Sequence, residues 1–244
     1  LSKCGARTKT LDLFPEIKQR VERDFPATKA DPNRPATAFL NMRGIRNSLD
    51  GLSYRHQSNI RQTNSGGVIF LVAEGIENGR LYNPPQGEGK THNRGSSAGK
   101  IWKHPGVTYD PDQETYVTEG IIDSLSFWEM GFQAIALLSA GQKPDNVDLS
   151  EFSNLVFAFD CDAAGRAALK KWKIAHPEAK AVEPIKGDWN DFLINGPPET
   201  ARERFEEKRE EFTARASMAG AVSAKEYAEK YYEFYKHPSG LFIF

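Results

Sequence analysis

Cysteine is nearly absent from this chain: among 244 residues there are only Cys4 and Cys161. Two thiols build neither a disulfide framework nor a four-ligand zinc site, so no zinc is expected within this chain. Long apolar runs are missing as well. Nothing approaches the roughly 20 residues of a membrane span, and the opening Leu1-Ser2-Lys3-Cys4-Gly5 is no signal peptide. These absences predict a cytoplasmic protein with no membrane partner. The chain opens on Leu1 instead of Met and closes on Leu241-Phe242-Ile243-Phe244, which reads as a piece excised from something longer. A phosphate loop is lacking too. Gly89-Lys90-Thr91 has the right ending, but Gly-x-x-x-x-Gly-Lys-Thr needs glycine at position 84, where the chain has Pro84.

The composition is that of a folded protein, 39% hydrophobic and 27% charged, long enough to bury a substantial core in one or two domains. A net charge of -1 says little about partners, but its distribution says more. Residues 34–104 hold ten Lys/Arg against four Asp/Glu, a balance of +6, whereas residues 105–195 hold seven against fifteen, a balance of -8. A basic segment beside an acidic one suits a polyanion held by one part and metal ions held by the other; ordinary surface variation is the plain alternative.

Periodicity divides the chain further. Residues 10–24 read as an amphipathic helix carrying Leu11, Phe14, Ile17 and Val21, and residues 36–43 as a short helix closed by Gly44. The apolar runs 67–73 and 80–82 flank Glu77-Asn78-Gly79, a hairpin signal, and residues 84–100, rich in Gly, Ser, Pro and Asn, read as a long mobile loop. Beyond Pro111 the pattern becomes strand 115–118, helix 121–130, strand 133–138, then strand 155–159, helix 163–175 and strand 179–185. Short apolar strands alternating with helices predict a parallel sheet covered on both faces. Residues 198–216 and 224–236 are charged and helical by propensity. The expected architecture is α/β: a basic mixed α+β module (1–110), a parallel sheet flanked by helices (111–196), and a C-terminal helical segment (197–244).

Three acidic phrases sit where strands of that sheet end: Val117-Thr118-Glu119-Gly120-Ile121-Ile122-Asp123, Phe159-Asp160-Cys161-Asp162-Ala163-Ala164-Gly165 and Lys186-Gly187-Asp188-Trp189-Asn190-Asp191. Parallel sheets bind ligands at the carboxyl ends of their strands. Glu119 follows its strand directly, Asp123 lies one helical turn on, and the spacing of Asp160 and Asp162 lets both reach one cavity. Such hard oxygen donors suit Mg2+ or Mn2+ and leave room for substrate phosphates. Helix capping by Asp160 and Asp188 is the competing explanation for those residues taken singly.

Glu-Gly-x-x-Asp, then Asp-x-Asp-x-x-Gly, then Lys-Gly-Asp-Trp-Asn-Asp, over residues 114–195, resembles the Toprim domain of bacterial-type (DnaG-like) primases, type IA and II topoisomerases and some nucleases. The resemblance implies Glu119 as the acid/base residue and Asp160 and Asp162 as metal-binding, with Asp123, Asp188 and Asp191 supporting or completing the metal site. Gly120 and Gly165 would permit tight turns and close backbone approach.

The neighbouring sequence selects among Toprim activities. Topoisomerases need a nucleophilic tyrosine in a strand-passage domain; Tyr227, Tyr231, Tyr232 and Tyr235 recur at helical spacing and read as a packing face. Primases place a basic mixed α/β module directly before Toprim, as here. The phrase Phe39-Leu40-Asn41-Met42-Arg43-Gly44-Ile45 is similar to one in phage and plasmid primases, as is Lys100-Ile101-Trp102-Lys103. The implied activity is metal-dependent, template-directed synthesis of RNA primers, with Arg43, Arg55, Arg61, Lys100 and Lys103 lining a groove for single-stranded DNA template and ribonucleoside triphosphates. Trp102 could stack on a base, though a core position is the commoner fate. A helicase partner and a bacterial, phage or plasmid setting follow from the same resemblance. Such primases commonly carry an N-terminal zinc-binding domain, absent here, of which Cys4 would be a last ligand. A Toprim-type nuclease and a non-catalytic DNA-binding scaffold are the alternatives.

Overall fold

The computed structural model describes residues 28–30, 35–46, 59–63, 67–82, 89–220, 234–237 and 240–243. The helix expected over residues 10–24, together with Cys4 and Arg55, lies outside these residues. Two five-stranded sheets organise the fold.

The first sheet is an antiparallel meander in chain order: β1 (Thr28–Ala30), β2 (Ile60–Thr63), β3 (Gly67–Ala73), β4 (Ile76–Leu81) and β5 (Thr91–Arg94). The turn between β3 and β4 differs from the expected one. It falls at Glu74-Gly75, with Ala73 opposite Ile76 and Gly75 at φ +71°, a conformation that glycine takes without steric cost. Asn78 and Gly79 instead lie inside β4. A Cβ on Gly79 would sit 2.3 Å from Ile69 Cδ1 and 2.6 Å from the Val68 carbonyl, so this glycine serves close packing, not a turn. The segment expected as a loop over 84–100 contains β5, which pairs with β4 from Glu77↔Arg94 to Arg80↔Thr91.

Helix α1 (Pro35–Met42) packs on this meander, ending at Gly44 with φ +72°. Its Ala36 and Leu40 join Ile45, Val68 and Phe70 in one buried cluster with Trp102, Ile121, Leu125, Ala136 and Leu138, which welds the meander to the second sheet. Trp102 is therefore a core residue, 3% exposed.

The second sheet has the order β10-β9-β7-β8-β6, from β6 (Trp102–Lys103), β7 (Glu114–Thr118), β8 (Gln133–Ala136), β9 (Asn154–Ala158) and β10 (Lys180–Val182). Its last four strands are parallel, and β6 closes one edge antiparallel to β8. Thus β6 joins the parallel sheet although it precedes the boundary expected at residue 110. The helices are α2 (Ile121–Glu129), α3 (Ala163–Ala175), α4 (Trp189–Ile194) and α5 (Ala201–Ala219). Strand β9 shows why both faces are covered: Leu155 and Phe157 pack with Leu169 and Trp172 of α3, while Val156 and Ala158 pack with Phe127, Trp189, Phe205 and Phe212. Every residue of β9 after Asn154 is buried, so its sequence is continuously apolar.

Helix α5 is strongly charged yet anchors here through Ala201, Phe205, Phe212 and Ala216, spaced to form one narrow apolar stripe. Near the chain end, β11 (Phe234–His237) pairs with β12 (Gly240–Ile243), so the helix expected over 224–236 gives way to a strand at Phe234; residues 221–233 lie outside those described. Among the described residues no helix is long and apolar enough to cross a membrane.

Glu114, at the start of β7, ties three elements together. It accepts from Lys180 Nζ at 2.8 Å and from Arg209 of α5. Burial alone would raise its pKa, but the hydrogen bonds from Lys180 and Arg209 outweigh it and hold the carboxyl below its usual value of 4.5. A depressed folded-state pKa contributes stability above the unfolded value and loses it as pH falls through the folded one. Glu114→Gln is therefore expected to cost about 1 kcal/mol at pH 7, and the gap from wild type should close below about pH 4, as read by urea unfolding across pH.

Candidate active site

The strand order reverses at β7. Strand β8 lies on one side of it and β9 on the other, so a crevice opens between the carboxyl ends of β7 and β9. Glu119 leaves β7 and Asp160 leaves β9 at this crevice, and the Asp160 N–H donates to Glu119 Oε1 at 3.2 Å. Close approach here depends on Gly165: a Cβ there would stand 2.2 Å from the Asp160 carbonyl and 2.7 Å from Glu119 Oε1. Gly120 precedes α2, and a Cβ on it would lie 3.0 Å from Asp123 Oδ2.

Two further backbone hydrogen bonds lock the acidic loops together. Asp123, buried in the first turn of α2, accepts the Asn190 N–H at 3.2 Å through Oδ1. The Cys161 N–H donates to the Gly187 carbonyl at 3.3 Å. Gly187, at φ +69°, leaves room for Asp191, whose Oδ2 would be 2.2 Å from a Cβ there. The helix-capping explanation applies to two residues. Asp162 caps α3 by accepting from the Gly165 N–H at 2.8 Å, and Asp188 caps α4 by accepting from the Asp191 N–H at 2.7 Å. Asp160 caps nothing; its Oδ1 is buried without a hydrogen-bond partner.

Crowding sets the electrostatics. Burial, followed by the charges of Asp123, Glu119, Asp188 and Asp162, pushes the Asp160 carboxyl far above the usual range. Burial and then Asp188 push Asp123 up, against the Asn190 N–H and the charge of Arg80. Glu119 is raised by burial and by Asp162, with partial relief from the Asp160 N–H. The donors suit a hard divalent cation: oxygens only, one buried acceptor without a partner, and mutual repulsion that a cation would relieve. Among the described residues no three acidic, His or Cys side chains form a ready-made ligand cage. Magnesium does not require one, since it takes one or two carboxylates and completes its shell with water and phosphate oxygens.

A cleft of about 130 Å³ faces Asp123. Gly120, Ile121, Ile122 and Leu138 form one wall with Asp123, and Phe70, Asn78, Gly79, Arg80 and Thr91 of the meander form the other. Leu138, following β8, adopts φ +71°, an uncommon conformation for a non-glycine residue. Arg80 is the cation that the meander brings to the carboxylates.

The expected basic residues are dispersed. Arg43 reaches the third acidic loop, donating from Nη1 to Asn190 Oδ1 at 3.1 Å. Arg61 stands opposite Ile69 on β2, on the sheet face away from Val68 and Arg80. Lys100 is exposed on a loop clamped by Gln142, whose Nε2 donates to the carbonyls of Ser97, Lys100 and Leu137. Lys103 pairs with Glu151 at 3.0 Å, on the loop entering β9 and therefore at the opposite end of the sheet. Sequence reasoning missed Arg80 and Asn190. Reading Asn78-Gly79 as a turn hid the first, while alternation from Asn78 to Arg80 within a strand would have placed both on one face.

Removing one crowding charge should stabilise the metal-free protein. Asp160→Asn is expected to raise Tm at pH 8 in chelator by roughly 2–4 °C, about 1 kcal/mol in a chain of this size. The sign follows from a raised folded-state pKa: the wild type is most stable where this carboxyl is protonated and loses stability as pH rises, so the advantage of the variant should vanish near pH 4. Millimolar Mg2+ should stabilise the wild type and leave the variant nearly unmoved, as measured by calorimetry.

Residues 116–193 match a family described as Toprim-like. Compared with curated protein sequences, the chain matches none. Among solved structures, the primase fragment of the bacteriophage T7 primase-helicase protein superimposes with a TM-score of 0.52 at 15% identity, over 74% of each chain. The RNA polymerase domain of Mycobacterium tuberculosis primase DnaG gives 0.42 at 19% identity, over 83% of this chain and 77% of that one. A DNA primase domain from Pseudomonas aeruginosa gives 0.47 at 15%, over 73% of each. The acidic loops, the strand reversal between them and the family match agree on one conclusion: residues 116–193 form a Toprim-like domain, in a chain with the fold of the T7 primase fragment.

Proposed function

We propose that this chain is the catalytic core of a DNA primase, joining ribonucleotides on a single-stranded DNA template in a divalent-metal-dependent reaction. The observation that carries the reading is the convergence of Glu119, Asp123, Asp160, Asp162 and Asp188 at the sheet crossover, with Asp123 facing a cleft whose far wall brings Arg80. Such crowding destabilises a fold unless cations offset it. A scaffold has no use for it.

In this reading Asp160 and Asp162 hold Mg2+ or Mn2+, with Asp123, Asp188 and Asp191 completing the site from the adjacent loops. When bound, the metal would neutralise the triphosphate and make the attacking 3′-hydroxyl more acidic. Glu119, its pKa raised by burial and the nearby Asp162, would take the hydroxyl proton. Arg80 and Arg43 meet the phosphates of the incoming ribonucleoside triphosphate, while Lys100, Arg61 and Arg55 serve the template. Lys103, paired with Glu151 at 3.0 Å, has the weakest claim to that groove. A replicative helicase is the expected partner, given a phage primase-helicase fragment of the same fold. The cytoplasm of a bacterial host, with chromosome, phage or plasmid as replicon, is the setting.

The deciding assay mixes the chain with single-stranded DNA, labelled ribonucleotides and Mg2+ or Mn2+. Short labelled products are expected, and Asp160→Ala should abolish them with circular dichroism unchanged. Shortened template in place of new product would assign a nuclease, and primer synthesis by Asp160→Ala would overturn the site. Arg80→Ala should raise the ribonucleotide KM by about 10- to 100-fold, the range for losing a charge-assisted hydrogen bond to phosphate, with little change in template affinity.

A further inference from the structure

Asn190 is fully buried between the first and third acidic loops, and nothing in the proposed chemistry uses its side chain. Every polar group of that side chain is nonetheless engaged. Nδ2 donates to the Arg43 carbonyl at 2.8 Å and to Ser126 Oγ at 3.0 Å, and Oδ1 accepts from Arg43 Nη1 at 3.1 Å. Its own peptide N–H donates to Asp123 Oδ1 at 3.2 Å. A buried amide satisfied on both donors and its acceptor has one orientation, so the N–H above Asp123 is held where the side chain puts it.

The two anchors lie on different parts of the fold. Ser126 sits one turn beyond Asp123 on α2 and donates to the Ile122 carbonyl at 2.9 Å, which places the amide on the helix that carries the carboxylate. Arg43 belongs to the basic module at the end of α1. Its guanidinium rests 5.5 Å from the Phe39 ring centre, and the adjacent Gly44 lies against Leu193 and Ile194 of α4.

We propose that Asn190 is a positioning residue that couples Arg43 of the basic module to Asp123 of the metal site, so that module placement and divalent-cation affinity change together. This rests on the reading of the carboxylates as a metal site. The coupling is mechanical: displacing Arg43 releases both ends of the amide, and the amide in turn directs the N–H that orients Asp123. Partners of this outer kind typically change metal affinity 10- to 100-fold. An arginine serving only a triphosphate would leave metal affinity untouched when no nucleotide is present.

The test is Mn2+ titration of the full chain, followed by electron paramagnetic resonance, without nucleotide or DNA. Asn190→Ala should raise the Mn2+ Kd about tenfold or more, and Arg43→Ala and Ser126→Ala, each of which removes one of the three side-chain contacts, should raise it measurably but by less. Primer synthesis by Asn190→Ala should recover toward the wild-type rate at saturating Mn2+, which a merely structural defect would not allow. Unchanged Mn2+ affinity in Arg43→Ala overturns the proposal, even if Asn190→Ala fails to fold, because Arg43 is only half-buried. Lowered Tm with unchanged Kd likewise overturns it. Absence of Mn2+ binding in the wild type would instead remove the metal site itself, a distinct failure.

Discussion

Like charges held close together are the constraint around which the rest of this structure is arranged. Glu119, Asp123, Asp160, Asp162 and Asp188 repel one another through a partly buried space. Among the described residues, Arg80 is a side-chain cation that acts on Asp123. What holds the loops is backbone. One N–H joins the second loop to the first, another joins the third to the first, and a third runs from the second loop to a carbonyl of the third. Peptide dipoles suit this task because they stabilise anions without occupying the space that a cation and phosphates need.

That arrangement requires glycine at particular points. Gly165 lets the Asp160 carbonyl and Glu119 approach within a distance no Cβ would tolerate, and Gly187 combines a positive φ with the close presence of Asp191. The strand order contributes as much. Because the chain returns to the far side of β7 after β8, the first two acidic loops emerge side by side, without an intervening helix.

Much of this was legible in the sequence, for identifiable reasons. Strand β9 is short and apolar because both its faces are covered, and the helix has the bounds 163–175 expected of it, with Asp162 as its cap and its buried positions on one face. The carboxylates were visible through their spacing after strands. Less local features were not. Asn78-Gly79 resembles a hairpin turn, but Glu74-Gly75 wins because the register of β3 and β4 places Ala73 opposite Ile76. Strand β5 has a loop composition and takes its order from pairing with β4. The fate of Lys103 depends on Glu151, 48 residues away, and no local pattern encodes that. Arg80 was hidden by the same misplaced turn, and Asn190 escaped because its partners come from other elements.

The third loop shows how the core beneath supplies the order that the site cannot supply for itself. Helix α4 has six residues and would not persist alone. Asp188 and Asp191 lie on either side of Trp189, a fully buried indole whose Nε1 donates to the Ala158 carbonyl at 3.0 Å, at the end of β9. Its ring stands 5.0 Å from Phe127 and 5.3 Å from Phe212, so α2 and α5 both grip it. Aromatic burial of this size contributes several kcal/mol, more than the acidic neighbours cost by capping a short helix beside other anions. Dense aromatic packing therefore lies directly beneath crowded carboxylates. Because Trp189 hangs from the strand that delivers Asp160, the core holds the second and third loops at a fixed spacing.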